Sequence, residues 1–391
     1  MGAAIADPAQ GPAVARTLRE LSTTEAAASE AQRTLSQPLV DALWDSGLMR
    51  YPNAPEAGGC QPSFLQLIDT WIELAWQDGS LGWTGIANFP ASMAASVYLP
   101  QAGFEELFGD PDHRVTLGGQ FFPNGTGERA DGGYRLSGSW NFGSGTAHSA
   151  YIAAGFFPTV DGEASFDLDQ MRVAIVPRDQ VNFTDGWHVQ GLRGTGSYDY
   201  ELADVFVPEH RCFPLFTRNA QRGSSPIFSM GLMPITAAGH ASWALGVAKS
   251  MLDDVAELAL TKARMSDMDT LANRNTFQRN LAHHRGMWRA ARAGLVETFS
   301  GIEAQVAAGA ELTPTMRADH RVAATYATEA SREVAQWAHL AAGTTAIRNG
   351  SRLERAFRDI YTGTQHAFIS EKTYIDAAQI WLGIEEDLPG L

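Results

Sequence analysis

Cysteine is scarce in this chain of 391 residues, which has only Cys60 and Cys212. Two thiols cannot build a disulfide framework, and the reduced state of a cytoplasmic protein is the expectation. Cationic residues are also in the minority, with 29 Lys and Arg against 44 Asp and Glu and a net charge of −15. Phosphate neutralisation needs clustered cations, so no nucleic-acid surface is expected, and an anionic membrane would repel the chain. No run approaches the roughly 20 apolar residues of a membrane span. Met1 to Pro12 lacks a basic stretch leading into an apolar one, so no secretory signal is read there. Catalytic signatures are missing too. There is no HExxH or CxxC, and the adjacent His283 and His284 cannot share one helix face, so no metal is expected. GxSxG and the P-loop are absent, and Gly191, Gly194 and Gly196 stand in the wrong order for a dinucleotide fingerprint. A self-contained nicotinamide enzyme, an NTPase and an α/β-hydrolase all lose support.

What is present is apolar substance, 45% of the residues, enough for a large core. Three textures follow a short Ala-, Pro- and Gly-rich start, residues 1–13, read as a disordered tail. Residues 14–113 read as helical: Ser36-Gln37-Pro38 opens one helix, and Phe64, Leu67, Ile68, Trp71, Ile72 and Ala75 recur at three-and-four spacing. Asp78-Gly79 breaks that second helix. Residues 114–220 read as strands, namely Val115–Pro123, Tyr134–Phe142, Tyr151–Phe157, Arg172–Pro177 and Tyr198–Pro208. Short strands at this spacing predict a small antiparallel barrel or sandwich. Residues 221–391 are helical again, with a stripe of Trp243, Val247, Met251, Val255 and Leu258, a Thr313-Pro314 helix start, and a Ser351/Glu354 capping box. Helices, then strands, then helices predict an α+β fold rather than alternating βαβ units.

Three segments carry chemistry. In Gly138-Ser-Trp140-Asn-Phe142-Gly-Ser144-Gly145, strand alternation sets Trp140, Phe142 and Ser144 on one face, suited to a flat polyaromatic ligand with a hydrogen-bonding edge. An ordinary core strand with a glycine bulge is the competing reading. In Gly191-Leu-Arg193-Gly194-Thr-Gly196 the glycines allow close backbone approach, or simply make a turn before an edge strand. In Arg358-Asp359-Ile-Tyr361-Thr362-Gly363-Thr364-Gln365-His366, Gly363 should end a helix and leave His366 on an irregular turn. Histidine titrates closest to neutral pH, though a capping or core histidine reads equally well.

Together with Pro55-Glu-Ala-Gly-Gly59 and Asp78-Gly-Ser-Leu-Gly-Trp83, these segments resemble the acyl-CoA dehydrogenase superfamily. Within it they are most similar to the oxygenase components of two-component flavin-dependent monooxygenases. The resemblance implies an N-terminal helical domain, a central antiparallel β-domain and a C-terminal four-helix bundle, assembled as a homotetramer. It implies catalysis with reduced flavin, FMNH2 ahead of FADH2, and O2 through a C4a-hydroperoxyflavin that hydroxylates a small, aromatic substrate. A separate NAD(P)H-dependent flavin reductase would supply the flavin. Ser144 would lie at flavin N5, Trp140 and Phe142 against the ring, and His366 near C4a. Arg264 and Gln278 would reach the flavin phosphate of a neighbouring subunit. His148 and Trp83 would face the substrate. Two alternatives stay open: an FAD-bound acyl-CoA dehydrogenase and a non-catalytic assembly protein retaining the fold. The first is disfavoured because many such enzymes resemble one another in a Tyr-Glu-Gly-Thr base motif. Here the run is Tyr361-Thr362-Gly363-Thr364, with no carboxylate from Ile360 to Ser370. A threonine hydroxyl is too weak a base to replace one.

Overall fold

The computed structural model describes residues 5–160, 163–164, 167–184, 186–263, 269–388 and 390–391. Six helices come first: α1 (Gly11–Arg16), α2 (Arg19–Gln32), α3 (Gln37–Asp45), α4 (Phe64–Gln77), α5 (Gly79–Tyr98) and α6 (Gln101–Phe108). Ser63 and Gln66 close a reciprocal capping box at the start of α4. Asp78 then ends α4 and opens α5, its carboxylate accepting the N–H groups of Ser80 at 2.9 Å and Leu81 at 3.1 Å. The helix break is thus a change of direction without a loop, and it delivers Trp83 to the interior one turn later.

The start of the chain departs from the expected tail. Ile5 is buried, α1 begins at Gly11, and the Tyr51 hydroxyl donates to the Pro8 carbonyl at 2.5 Å. Its small residues suit close packing as well as disorder; residues 1–4 of that expected tail lie outside the described residues.

The middle of the chain is one sheet: β1 (Leu117–Ala130), β2 (Gly133–Gly143), β3 (Tyr151–Val160), β4 (Glu163–Ala164), β5 (Arg172–Pro177), β6 (Asn182–Thr184), β7 (Tyr198–Pro208) and β8 (Cys212–Pro214). All five expected runs overlap strands. The order β6-β7-β2-β1-β3-β5-β8, with β4 on β3, corrects one expectation: the sheet is mixed. β1 and β3 run parallel, with Leu117 opposite Tyr151. The chain leaving β2 crosses to the far side of β1 through the turn at Gly145 instead of forming a hairpin. Tyr134, Leu136, Trp140, Ile152, Phe156 and Tyr200 form a core belonging to this sheet.

Five helices finish the chain: α7 (Leu232–Thr261), α8 (Asn275–Ala307), α9 (Pro314–Ala342), α10 (Arg352–Gly363) and α11 (Lys372–Trp381). Thr313 caps α9 by accepting the Met316 N–H at 3.2 Å. Ser351 makes no such side-chain bond, and the Glu354 carboxylate is held by Arg358 (3.0 Å), so the expected capping box does not form. α7 packs on both α9 and α4, so the two helical regions share one core. Gly363 ends α10 where a β-carbon would sit inside the indole of Trp243, and only glycine permits that approach.

Candidate active site

Trp83 is where the layers meet. It is buried on α5, and its indole N–H donates to the hydroxyl of Ser144, just past β2, at 3.1 Å. Its ring stands edge-on to Trp243 of α7 (5.0 Å) and to His240 of α7 (5.4 Å), and lies 6.0 Å from His366 in the turn after α10. His240 and His366 have ring centroids 4.4 Å apart, and Phe368 stacks on His240 at 5.7 Å. Residues far apart in sequence thus build one aromatic, imidazole-rich wall.

Backbone contacts set the protons on both imidazoles. Phe368 N–H donates to His366 Nδ1 at 3.2 Å, so neutral His366 carries its hydrogen on Nε2 and is a donor there. His240 Nδ1 lies 2.9 Å from the Thr236 carbonyl, which can only accept, so neutral His240 carries its hydrogen on Nδ1 and is an acceptor at Nε2. Desolvation, then the Arg321 guanidinium, pushes His366 down to about 4. One side of His366 is solvent-exposed, yet the protein crowded around its ring still penalises the charged form. Burial is also the main cause that holds His240 well below the ordinary histidine value, with His366 and Arg321 adding to it. Arg321 reaches both by stacking its guanidinium on Phe368, 3.4 Å from the ring centre. Both imidazoles are neutral at pH 7.

Ser144 retains its O–H and one lone pair, since Trp83 uses a single acceptor site. Nearby, Phe142 has φ +60°, a strained choice for a bulky residue, and is 65% exposed. The register of β2 on β7 shifts between Trp140 and Gly143. This irregularity breaks the alternation that was expected to place Trp140 and Phe142 on one face. Trp140 is consequently enclosed in the sheet core, stacked on Tyr200 at 5.3 Å and donating to the Gly155 carbonyl at 2.9 Å. It cannot lie against a ligand beside Ser144.

The structure therefore brings Ser144, Trp83 and His366 together, leaves Phe142 exposed with its ring 6.3 Å from Trp187, and separates the others. His148 has both ring nitrogens engaged, Nε2 3.3 Å from Asn88 Oδ1 and Nδ1 3.3 Å from Thr34 Oγ1. Burial, then Arg178, pushes it down to about 4. The turn after the left-handed Gly145 aims its ring at α5 and Thr34, so it braces that turn instead of facing the cluster. Gln278 is exposed on α8 and donates to the Ala272 carbonyl at 2.8 Å within its own chain, with no contact to the cluster. Arg264 lies outside the described residues. The Gly191–Gly196 segment is a structural turn: Gly194 N–H donates to Ser80 Oγ at 3.1 Å, and Leu192 N–H to Asp359 Oδ1 at 2.6 Å. His240, Phe368 and Arg321 were not expected. The one available signal for His240 was a lone histidine three residues before Trp243 in the uncharged first half of its helix.

The chain is similar to several known proteins. Residues 238–371 match the family described as "Acyl-CoA dehydrogenase, C-terminal domain". The chain is 30% identical over 363 residues to an indole-3-acetate monooxygenase of Pseudomonas putida, covering 92% of this chain and 90% of that protein. It is 29% identical over 356 residues to the flavin-dependent monooxygenase oxygenase subunit HsaA of Mycobacterium tuberculosis, covering 88% and 87%. Among solved structures, XiaF from a Streptomyces species, in complex with FADH2 and glycerol, superposes with a TM-score of 0.90 at 24% identity, over 98% of each chain. TdsC of a Paenibacillus species with FMN and indole gives a TM-score of 0.81 at 19% identity, over 97% and 98%. Those two likenesses bear on the fold alone.

Proposed function

Because the chain belongs to the acyl-CoA dehydrogenase-like oxygenase components of two-component flavin-dependent monooxygenases, we propose that it hydroxylates a small aromatic molecule with reduced flavin held at Ser144, Phe142 and His366. A bound reduced flavin supplies two electrons to O2, so that one oxygen atom enters the substrate and the other leaves as water. The reductant comes from a separate NAD(P)H-dependent flavin reductase. An aromatic substrate is supported by the indole-3-acetate monooxygenase relative and by the aromatic cluster around Trp83.

The residues present fit a flavin. Ser144 keeps an unused lone pair that could accept a ring N–H of reduced flavin, and the Trp83 N–H orients that hydroxyl. Phe142 presents an exposed aromatic face, held outward at the cost of backbone strain. Neutral His366 donates a hydrogen bond from Nε2 and could hold the oxygen-derived group through it. Trp83, Trp243, His240 and Phe368 exclude water from that side, which protects a reactive oxygen species from wasteful breakdown. The convergence of Ser144 and His366 on Trp83 carries this reading. These residues address the ring system that FMN and FAD share; FMN is the proposed form. A homotetramer is also proposed, supported by the exposed apolar Tyr326, Leu340 and Ile347 along α9 and the turn after it.

Anaerobic titration with reduced FMN and reduced FAD, followed by oxygen and an aromatic acceptor such as indole-3-acetate, tests the reading. Incorporation of one 18O atom from 18O2, and its replacement by H2O2 release in His366→Ala, is the expected result. Reduction of bound oxidised flavin by an acyl-CoA would overturn it in favour of a dehydrogenase.

A further inference from the structure

Arg321 is a buried cation that the fold leaves without a counter-charge. It is 6% exposed on α9, and burial pushes its pKa down only to about 10, so it is charged at neutral pH. Nη2 donates to the Phe368 carbonyl at 2.8 Å and to Thr373 Oγ1 at 3.2 Å. Nε and Nη1 are buried and have no hydrogen-bond partner among the described residues. Asp376 on α11 is the one carboxylate among those residues whose charge reaches it, and Lys372 holds that carboxylate at 2.6 Å. A buried charge kept without an ion partner costs stability and calls for an explanation.

The contacts through Phe368 supply one. The guanidinium stacks 3.4 Å from the centre of the Phe368 ring and binds the carbonyl of the same residue, so Phe368 is held by side chain and backbone together. Its N–H donates to His366 Nδ1 at 3.2 Å. A protonated His366 would carry a hydrogen on Nδ1 and meet that N–H donor to donor. Relieving the clash requires the turn to shift, which the grip of Arg321 opposes. The same cation disfavours a second positive charge on His366 and on His240, whose ring lies 4.4 Å from that of His366. A carboxylate bound to the guanidinium would cancel this field, and so the absent partner has a consequence for the imidazoles. The groups that bear on His366 are thus Arg321 from α9, neutral His240 from α7, and Asp376 of α11 through its pull on Arg321.

We infer that Arg321 is a positioning residue for His366: its unpaired charge and its hold on Phe368 keep the imidazole neutral, with the hydrogen on Nε2. The inference rests on the oxygenase reading, because it deepens the part that reading gives to His366. Arg321 touches neither flavin nor substrate and acts wholly through Phe368 and through its field. The cost of leaving its charge unpaired is offset in function, since a charged or wrongly protonated His366 would lose the Nε2 donor in the orientation the turn gives it.

The test uses the full-length protein with isotope-labelled histidine, first without flavin. The imidazole carbon and nitrogen signals of His366, assigned by their loss in His366→Gln, report both its titration and its tautomer. Arg321→Met should raise the titration midpoint by about one pH unit and admit the Nδ1–H tautomer. Arg321→Lys, still charged at the acidic pH of the titration, should hold the midpoint near that of wild type. Thr373→Asp offers the guanidinium the carboxylate it lacks and leaves the stack on Phe368, so the midpoint should rise while the tautomer stays. A midpoint unmoved in Arg321→Met or in Thr373→Asp, or raised as far by Arg321→Lys as by Arg321→Met, would overturn the assignment and leave Arg321 a packing residue. With reduced flavin, 18O2 and indole-3-acetate, Arg321→Met should release H2O2 at the expense of 18O-labelled product; an unchanged ratio would overturn it as well. If the imidazole responds as expected but wild type inserts no 18O, the oxygenase reading falls and the hold of Arg321 on His366 stands.

Discussion

Trp83 Nε1 donates to Ser144 Oγ at 3.1 Å and so ties the helical layer to the end of a strand in the sheet. Trp83→Phe keeps the ring and removes the donor. Loss of one buried hydrogen bond should cost about 1 kcal/mol in urea unfolding. A double-mutant cycle with Ser144→Ala should show coupling of about 0.5 kcal/mol or more, and reduced-flavin affinity should fall in each single variant.

Trp140 and Phe142 should separate stability from binding. Trp140, fully buried against Tyr200, should cost about 3–5 kcal/mol when changed to Ala. Phe142→Ala should change stability by less than about 0.5 kcal/mol, as for other exposed positions, while weakening flavin binding. Thermal melts read the first effect and anaerobic flavin titration the second. A Trp140 variant that folded normally and lost only flavin would refute the placement.

The acid limb of the activity should lie low. Since His366 is pushed down to about 4, protonation removes the neutral tautomer only near that pH, and activity should persist well below pH 6.5. Arg321→Met removes one of the two causes and should raise the His366 pKa. Following the imidazole carbon signals of His366 by NMR across pH reads this directly and separates it from any packing effect of the substitution.

Acid should also destabilise the fold through His320. Its two ring nitrogens are buried without partners among the described residues, and burial pushes its pKa down to about 3. The unfolded chain binds a proton at about 6.5. Stability is therefore full above pH 6.5 and is lost as pH falls through the window from 6.5 to 3. His320→Phe, which retains a ring to stack on Phe299 (4.4 Å), should remove one proton from that acid dependence in urea unfolding at stepped pH.

Asp359 should act with the opposite sign. Burial, and then the neighbouring Asp78, raises its pKa, while Oδ1 accepts the Leu192 N–H at 2.6 Å and Oδ2 has no partner. The folded state holds this proton more tightly than the unfolded one. Its stabilisation is present below the ordinary carboxylate value of about 3.9 and is lost as pH rises through the raised one. Asp359→Asn keeps an acceptor for Leu192 and should flatten the alkaline side of the stability profile.

Much of the scaffold was readable from local patterns. Alternation marked the strands, three-and-four spacing marked α4, Thr313-Pro314 marked the start of α9, and Gly363 marked the end of α10. The places of His366 on a turn and Ser144 at a strand end were legible from Gly363 and from the glycines that close the strand. The failures share a cause. Trp140 and Phe142 were assigned to one face because alternation assumes a regular ladder, and the register shift before Gly143 breaks it. The parallel pairing of β1 and β3 depends on where the turn at Gly145 sends the chain, which no single strand encodes. His148, close to Ser144 in sequence, was expected to face the substrate, yet its nitrogens belong to Asn88 and Thr34.

Periodicity and turn chemistry are properties of neighbouring residues, so the order of helices, strands and helices, and the polar groups carried on their ends, were set by the chain as written. The protonation pattern was not. That His366 donates from Nε2, that His240 accepts at Nε2, and that both stay uncharged follow from Phe368 N–H, the Thr236 carbonyl, burial and Arg321. Desolvation and stacking act between groups that only folding brings within a few ångströms, and so the character of the site emerges with packing.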